Sequence, residues 1–395
     1  MASGGFLRKA YWGLAGAGLI YALAIGALTY PVLQRNATYA HNVNPSYWQN
    51  LSNVEQFGFL HHQVQPFTVT TPDNVTLFAW HILPTHLYMQ HEEALKAQGD
   101  FGQKPYAQAA ETVGLRLLLE DPKATVVVSF HGNAAHLASS HRPATYQQFL
   151  GTSSSERPVH VIAFDYRGFG WSTGSPTEDG VIQDSVSLLS ALTGHASTSS
   201  DVSVSPSSLK ASQIILVGQS LGTFISSALY HEWAITLGRA PFRALVLFAS
   251  FTSLTNLLDS YSIKGLTPPL LSPLLAYPKI QKYFLSKLVD KWDTNLRLVE
   301  LVSNPGIELD LTMIHARDDW EIPWNEGRKS WERVLEAATS SAGVEIEFSR
   351  DRDLEIWASV DGRKKLRWQR VSHGGHNRIP TSEHARLAIM RLLEQ

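Results

Sequence analysis

The chain has 395 residues, of which 44% are hydrophobic and 17% charged, which is enough apolar material for a large core and too little charge for a disordered chain. The 33 basic and 35 acidic residues give a net charge of −2, so no global basic excess indicates a nucleic-acid partner. The absence of cysteine excludes disulfides, thiolate nucleophiles and Cys-ligated zinc.

An apolar run near the amino terminus is long enough to cross a membrane. Residues 11–28 contain no charged side chain, and the run continues to residue 33. A membrane span needs about 20 apolar residues. A cleaved signal peptide is the alternative, because Ala22-Leu23-Ala24 resembles a cleavage site. We expect a retained anchor that contacts the membrane through residues 11–33.

Basic residues beside this run predict its orientation. Arg8 and Lys9 precede it and Arg35 follows it, so the positive-inside rule places the amino terminus in the cytosol and the rest of the chain on the lumenal or exterior side. That side is where asparagine glycosylation occurs. Three N-x-S/T sequons follow the span, at Asn36, Asn50 and Asn74.

The remainder of the chain alternates strand and helix patterns. Residues 64–71 and 75–81 predict an antiparallel hairpin, and helix-like segments include residues 178–193 and 221–237. Five short runs rich in β-branched residues are typical of strands buried on both faces of a parallel sheet. These runs are Thr125–Phe130, Val159–Phe164, Gln213–Val217, Ala244–Phe248 and Leu309–His315. The pattern predicts an α/β fold with a mostly parallel central sheet and helices on both faces.

Two insertions and a second hairpin complete the predicted organisation. Residues 194–212 are Ser-rich and predict a solvated loop. Residues 251–300 interrupt the alternation with an apolar, Pro-broken stretch, which indicates a cap that either contacts an acyl chain or packs as an ordinary insert. Asp361-Gly362 predicts a turn between strands at 354–360 and 364–371. We expect an anchor over residues 1–35, a linker over 36–60 and one α/β domain over 61–395, with the cap inserted at about 251–300.

The motif Gly218-Gln219-Ser220-Leu221-Gly222 carries the strongest chemical signal. It follows the apolar run Ile214–Val217 and opens a helix-like run. A sharp strand-to-helix turn holds a serine hydroxyl exposed at the end of a sheet, and small residues two positions to either side permit that turn. The helix amino terminus also favours a developing negative charge. Ser220 is therefore the candidate nucleophile.

A serine nucleophile needs a base, and the base needs a carboxylate that orients it. After the strand at 309–315 the candidates are Asp319, then Asp318 and, more distantly, Glu321. Asp319 stands four residues before Pro323, the spacing such loops usually show, and is preferred.

The base should come last in chain order. His376 is preceded by Gly375 and is preferred, while His373 is the alternative. The sequence thus predicts Ser220, Asp319 and His376 as a catalytic triad.

Two backbone N–H groups should bind the oxyanion. One is expected from Leu221, directly after the nucleophile, and the other from a loop after an earlier strand. The strand at 125–130 leads into a His131-Gly132 pair, so Asn133 is the candidate donor. Asp165, in the loop after the next strand, is expected to be structural.

Together these blocks resemble the α/β-hydrolase superfamily over roughly residues 60–395. The blocks His131–Ala134 and Asp165–Ser172 resemble one branch in particular, the integral-membrane lipases that act on monoacylglycerols and lysophosphatidylserine. The resemblance implies an amino-terminal span, a catalytic domain in the lumen of the endoplasmic reticulum, and hydrolysis without a cofactor or metal. It also implies that a lipid ester is the substrate.

The leading hypothesis is a carboxylic-ester hydrolase for lipids with one acyl chain. A serine peptidase on the same fold is the alternative, although no clear acidic pair is present to hold a peptide terminus. A non-catalytic binding protein is a third possibility, and such proteins usually lack one triad member. The sequence does not indicate an oligomeric state.

Overall fold

One sheet of eleven strands organises the chain. The computed structural model describes residues 3–44, 46–99, 102–195, 208–261, 271–341, 344–348 and 353–394. The strands are β1 Val64–Thr70, β2 Thr76–Ile82, β3 Lys104–Pro105, β4 Thr125–Phe130, β5 Val159–Phe164, β6 Ile214–Gln219, β7 Ala244–Phe248, β8 Leu309–Ala316, β9 Val344–Phe348, β10 Leu354–Ser359 and β11 Lys364–Val371.

The middle of the sheet is parallel, antiparallel pairs join it on both sides, and the edge strand β3 pairs in parallel with β1. The spatial order is β3-β1-β2-β5-β4-β6-β7-β8-β11-β10-β9. Strands β5, β4, β6, β7, β8 and β11 pair in parallel, whereas β2 joins β5 and β10 joins β11 in antiparallel fashion. The predicted α/β class, the five buried strands and both hairpins are therefore confirmed. Strands β3 and β9 were not predicted.

Helices cover both faces of the sheet. The helices are α1 Ser3–Ala27, α2 Pro31–Tyr39, α3 Thr85–Gln98, α4 Tyr106–Ala109, α5 Val113–Leu119, α6 Arg142–Leu150, α7 Glu178–Thr193, α8 Leu221–His231, α9 Leu254–Ser260, α10 Pro278–Ser286, α11 Thr294–Ser303, α12 Trp324–Ser341, α13 Gly375–Arg378 and α14 Glu383–Leu393. On β4, Val126 and Val128 belong to one apolar cluster and Val127 to another, because alternate side chains point to opposite faces. Helices α7, α8, α11 and α12 pack together on the first face, and α6 and α14 on the second.

Helix α1 is the candidate membrane span. Residues Gly5–Ala27 are long and apolar enough to cross a membrane, and they are not buried by the rest of the chain. Beyond α1, residues 36–60, the expected linker, pack against the rest of the chain. Tyr39, Leu51 and Val54 are buried, and the Trp80 indole donates to the Leu51 carbonyl at 3.1 Å. Apolar side chains in this segment attach it to the sheet and its helices.

The predicted cap is a group of short helices between β7 and α11. It contains α9, the 3₁₀ turn Ser272–Ala276 and α10, and we use "cap" for residues 254–261 and 271–292. Helix α11, which we had included in the insertion, packs against α8 and α12 and belongs to the helical layer instead. Most of the predicted Ser-rich loop and part of the Pro-broken stretch, residues 196–207 and 262–270, lie outside the described residues.

Candidate active site

Ser220 lies at a strained turn between β6 and α8. Its backbone has φ 54° and ψ −122°, a conformation that L-residues rarely adopt, and its N–H donates to the Phe248 carbonyl at 3.0 Å. Such outliers persist where the surrounding structure fixes them, and they cluster at functional sites. The turn places the Ser220 hydroxyl at the carboxyl end of the parallel strands and at the amino terminus of α8.

Two glycines make this turn possible. A Cβ atom on Gly218 would collide with the Gly222 backbone, and one on Gly222 would collide with the Phe130 carbonyl. These contacts explain why the motif requires glycine two residues before and two residues after Ser220. Close packing of α8 on β4 and β6 therefore fixes the position of the serine.

Asp319 and His376 form a buried pair near this turn. The His376 Nδ1 atom lies 2.8 Å from Asp319 Oδ2, and both side chains are almost entirely buried. Asp319 Oδ1 accepts the backbone N–H groups of Glu321 and Ile322, each at 2.9 Å. The loop that carries the carboxylate thus fixes its orientation, and the imidazole is fixed through the carboxylate.

The contact between Asp319 and His376 changes the pKa of both side chains. Burial alone would lower the pKa of His376, but the Asp319 carboxylate more than offsets burial and raises this pKa above its ordinary value. Burial alone would raise the pKa of Asp319, but His376 and His315 hold it well below the usual range. Asp319 is therefore ionised at neutral pH, and it stabilises the protonated form of His376.

The alternative acid and base residues occupy different positions. Asp318 Oδ1 accepts the Gly375 N–H at 2.7 Å, so it supports the loop that carries His376. His373 is exposed, with its Nδ1 atom 3.7 Å from the Asp318 carboxylate. Glu321 accepts a hydrogen bond from the Asn377 side chain at 3.3 Å. Of these candidates, only Asp319 contacts His376 through a side-chain hydrogen bond.

A second histidine contacts the carboxylate from within the core. His315, at the end of β8, is fully buried, and its Nε2 atom lies 3.4 Å from Asp319 Oδ2. The same atom donates to the Ile322 carbonyl at 3.0 Å, which assigns the proton to Nε2. His315 therefore adds a polar N–H to the environment of Asp319, and sequence reasoning missed it.

The candidate oxyanion loop lies against Ser220. A Cβ atom on Gly132 would be 3.3 Å from Ser220 Cβ and 3.8 Å from Ser220 Oγ, so the two backbones approach closely. Asn133 follows, and it lines the same cavity as Ser220 and Leu221. The Leu221 N–H is the first of α8, where no intrahelical acceptor exists. The fold thus brings both predicted donor residues to the serine.

A buried arginine holds this loop from behind. The Arg142 guanidinium, at the start of α6, donates to the carbonyls of Gly132, Asn133, Ala134 and His136 at 2.6–3.1 Å. A trans peptide directs its N–H opposite to its C=O. Arg142 binds the Gly132 carbonyl, so the Asn133 N–H points away from the guanidinium. Sequence reasoning did not identify this role of Arg142.

Two further contacts stabilise the same loop. Ala134 and Ala135 adopt left-handed φ angles of 60° and 57°, and their N–H groups donate to the carbonyls of Tyr39 and Val43. Asp165 accepts the Leu137 N–H at 2.7 Å. Asp165 therefore binds the backbone of the loop that follows β4, which agrees with the structural role expected for it.

The cavity above Ser220 is largely apolar. Ser220, Leu221, Asn133 and His376 line it together with Leu28 directly after α1 and with residues from α2, the cap and the Asp319 loop. The apolar part of the lining consists of Leu28, Ala37, Phe251, Leu254, Leu257, Leu258, Tyr261, Phe284, Leu288, Trp292 and Ile322. Such a lining suits a hydrocarbon chain next to a polar reacting centre.

Residues 126–388, more than half of the chain, match the Alpha/beta hydrolase family. The chain belongs to the alpha/beta hydrolase family. A solved structure agrees with this fold: the alpha-beta hydrolase from Vibrio vulnificus superposes with a TM-score of 0.55 at 14% identity, covering 91% of this chain and 93% of the other. The prediction of a hydrolase of this superfamily is confirmed.

Sequence relatives place this alpha/beta hydrolase near one branch of the family. Lysophosphatidylserine lipase ABHD12 of Xenopus tropicalis is 23% identical over 331 residues, which cover 84% of this chain and 73% of that protein. The same lipase of Rattus norvegicus is 24% identical over 321 residues, covering 80% and 67%. Protein ABHD12B of Homo sapiens is 28% identical over 226 residues, covering 56% and 53%. The predicted resemblance to the lysophosphatidylserine lipase branch is confirmed.

Proposed function

We propose that this hydrolase cleaves the carboxylic ester of lipids with a single acyl chain, either monoacylglycerols or lysophospholipids. One observation carries the proposal: Ser220 and His376 line a cavity whose other walls are mostly apolar. An acyl chain on those walls would hold its ester carbonyl next to the serine. The relatives named as lysophosphatidylserine lipases support this substrate class.

In the proposed reaction His376 acts as the base and Asp319 orients it. The Nδ1 atom of His376 faces Asp319, so the neutral imidazole carries its proton there and presents Nε2 as the acceptor. The Ser220 hydroxyl attacks the ester carbonyl and its proton passes to Nε2. Asp319 stabilises the resulting imidazolium, because an ionised carboxylate lies 2.8 Å from it.

The N–H groups of Asn133 and Leu221 would bind the negative oxygen of the tetrahedral intermediate. The intermediate then expels the alcohol, which takes the proton from His376, and an acyl group remains on Ser220. Water next attacks the acyl-enzyme while His376 accepts its proton. Collapse of the second intermediate returns that proton to Ser220 and releases the fatty acid.

We also propose that α1 anchors the catalytic domain on the lumenal side of the endoplasmic reticulum membrane. Its length and apolar composition support a single span, and the basic pair Arg8 and Lys9 supports a cytosolic amino terminus. In this arrangement residues 1–35 form the anchor, and the catalytic domain follows from about residue 61. Residues 36–60 attach the anchor to that domain.

Replacement of the nucleophile tests the proposed function. The full-length protein should hydrolyse monoacylglycerol and lysophosphatidylserine and should react with a fluorophosphonate probe, and Ser220→Ala should lose all three. Ser212→Ala, at an exposed serine before β6, is the matched control and should retain them. Aminoacyl fluorogenic substrates should not be cleaved. Unchanged ester hydrolysis by Ser220→Ala, or efficient aminoacyl cleavage, would contradict the proposal.

A further inference from the structure

The end of helix α1 packs against the cap. Tyr21, Ile25 and Leu28 contact a small apolar cluster of cap residues. The buried members of that cluster are Leu271, Leu274 and Phe284. The contact covers about 10 Å of helix axis, since residues 21 to 28 rise 1.5 Å each. The cap therefore lies beside the last two turns of the helix that we propose crosses the membrane.

Helix α10 of the cap exposes apolar side chains beside this contact. Tyr277, directly before α10, and Ile280 and Tyr283 within it are 59%, 53% and 61% exposed, and their spacing of three residues places them along one side of the helix. Phe284, next to that side, is buried in the cluster that meets α1. The exposed apolar surface of α10 is therefore continuous with the surface that packs on α1.

Lysines border this surface. Lys279, Lys282 and Lys287 are exposed. At 100° per residue, Lys282 lies across the helix from Ile280 and Lys279 lies at its flank. The Lys287 ammonium is 5.2 Å from the centre of the Tyr283 ring. Aromatic and apolar residues with lysines at the border are the composition of a helix that lies at a lipid–water interface.

Gln34 joins the anchor segment to the cap. Its side-chain amide donates to the Leu28 carbonyl at 2.9 Å and to the Lys287 carbonyl at 3.2 Å. Its side-chain oxygen accepts the Val289 N–H at 2.7 Å. Gln34 is itself buried, so these three bonds exchange little with water. The position of the cap therefore depends on the position of the membrane helix.

The same junction forms part of the cavity wall. Leu28 and Gln34 line the cavity above Ser220 together with Phe284 and Leu288 of the cap. With 25 residues, α1 is about 37 Å long, and it exceeds the roughly 30 Å hydrocarbon core of a bilayer. The last turns of α1, and the cap beside them, would lie at the level of the lipid head groups.

We propose that Tyr277, Ile280 and Tyr283 form a bilayer-contact surface that holds the cap on the membrane crossed by α1. The lipid substrate then passes directly from the bilayer to Ser220 along the junction between α1 and the cap. This inference rests on the proposed function. The occupant of the exposed apolar surface is the lipid bilayer, because the surface continues the one that α1 presents to lipid.

Fluorescence quenching tests the contact independently of activity. The natural chain has no cysteine, so Ile280→Cys gives a single labelling site for an environment-sensitive fluorophore. After reconstitution of the full chain in phosphatidylcholine vesicles, lipids with a nitroxide near the head group should quench the label strongly. A label at Leu387→Cys, an exposed position of α14, is the control and should be quenched at least threefold less. Equal quenching at the two positions would overturn the proposal.

Kinetics with two forms of substrate test the passage of lipid. Ile280→Gln combined with Tyr283→Gln should lower the rate on vesicle-embedded monoacylglycerol about tenfold. Its rate on a soluble short-chain ester should stay within twofold of the natural protein, which also reports correct folding. The matched control, Leu387→Gln with Met390→Gln on α14, should leave both rates unchanged.

The quenching and kinetic experiments distinguish failure of the bilayer-contact surface from failure of the proposed function. A loss on vesicle-embedded substrate without a loss on the soluble ester supports the bilayer-contact surface. If the Ile280 and Tyr283 variant hydrolyses both substrates at the rates of the natural protein, the proposed lipid passage is overturned, even if the natural protein is an active esterase. If the natural protein hydrolyses neither ester, the proposed function fails, and the quenching result still decides whether α10 contacts the bilayer.

Discussion

Gln219 and His376 are linked directly: the side-chain amide of Gln219, the residue before the nucleophile, donates to the His376 backbone carbonyl at 2.8 Å. The Gln219 side-chain oxygen meets His141 Nε2 at 2.9 Å on its other side. Burial lowers the pKa of His141 to about 4, so His141 is neutral at working pH and donates its N–H to Gln219. The turn that carries Ser220 and the loop that carries His376 are therefore joined through one amide.

Loss of this amide should impair turnover. Gln219→Met removes a buried hydrogen bond of about 1 kcal/mol and releases the His376 loop, so we expect kcat to fall roughly 5- to 20-fold. Steady-state kinetics on a soluble ester measure the change.

The glutamine directly before the same strand provides the control for this change. Gln213 donates to the Ala124 carbonyl at 2.9 Å, remote from the site. Gln213→Met should lower the melting temperature to a similar extent and leave kcat within twofold. Equal loss of kcat in both variants would contradict a positioning role for Gln219.

The pH dependence of hydrolysis should report the raised pKa of His376. The base must be neutral to accept the serine proton, so kcat/KM is lost as the pH falls through this pKa. The ordinary histidine pKa is about 6.5, and the Asp319 carboxylate raises that of His376 above it. A plot of log kcat/KM against pH for an uncharged ester should therefore bend above pH 6.5.

Replacement of the carboxylate should move that bend to lower pH. Asp319→Asn removes the charge that raises the His376 pKa, and kcat/KM should fall by about 10³–10⁴ because the imidazole loses its orientation. Asp318→Asn is the matched control, because Asp318 accepts the Gly375 backbone N–H and not a hydrogen bond from the His376 imidazole, and the bend should stay in place. A bend that does not move in Asp319→Asn would contradict the conclusion that Asp319 raises the pKa of His376.

Much of the fold follows from local sequence patterns. Strands buried on both faces of a parallel sheet are apolar at most positions, which is why Val159–Phe164 and its neighbours were recognisable. The Gly218–Gly222 motif also has a local cause, because two close backbone contacts exclude any Cβ atom. The pairing of Asp319 with His376 was predicted from chain order and loop position, and the structure places the two side chains in contact.

The remaining features depend on contacts between distant parts of the chain. Arg142 is polar in sequence and follows a loop, and nothing local indicates that four carbonyls surround it. Residues 36–60 have a mixed composition that is also typical of a linker, yet Tyr39 and Val43 support the oxyanion loop. The exposure of Ile280 could not be predicted from the spacing of apolar residues either, because a helix face buried in protein and a helix face in contact with lipid are both apolar.

Arg142 should be required for both stability and turnover. Arg142→Met leaves several buried carbonyls without donors, each costing about 1–3 kcal/mol, so the melting temperature should fall by several degrees or more. The Asn133 N–H would lose its fixed direction, and kcat should fall about 10²–10³ with little change in KM.

An arginine with a similar but exposed contact is the control. Arg386 donates to the Gly151 carbonyl at 2.7 Å on the surface, and Arg386→Met should leave kcat unchanged. Arg142→Lys, which keeps the charge and part of the bonding, should recover part of the activity. A normal kcat in folded Arg142→Met would show that the loop does not need this support.

Glycosylation offers a test of membrane orientation at individual asparagines. Asn50 and Asn74 are exposed in turns, whereas Asn36 is half-buried on α2 with its side chain bonded to that of Asn42 at 2.6 Å. If the catalytic domain is lumenal, endoglycosidase treatment of the protein from eukaryotic cells should remove two glycans. Asn50→Gln and Asn74→Gln should each remove one glycan, and Asn36→Gln should remove none. A chain that carries no glycan at either exposed asparagine would contradict the lumenal orientation. Its esterase activity would remain an independent question.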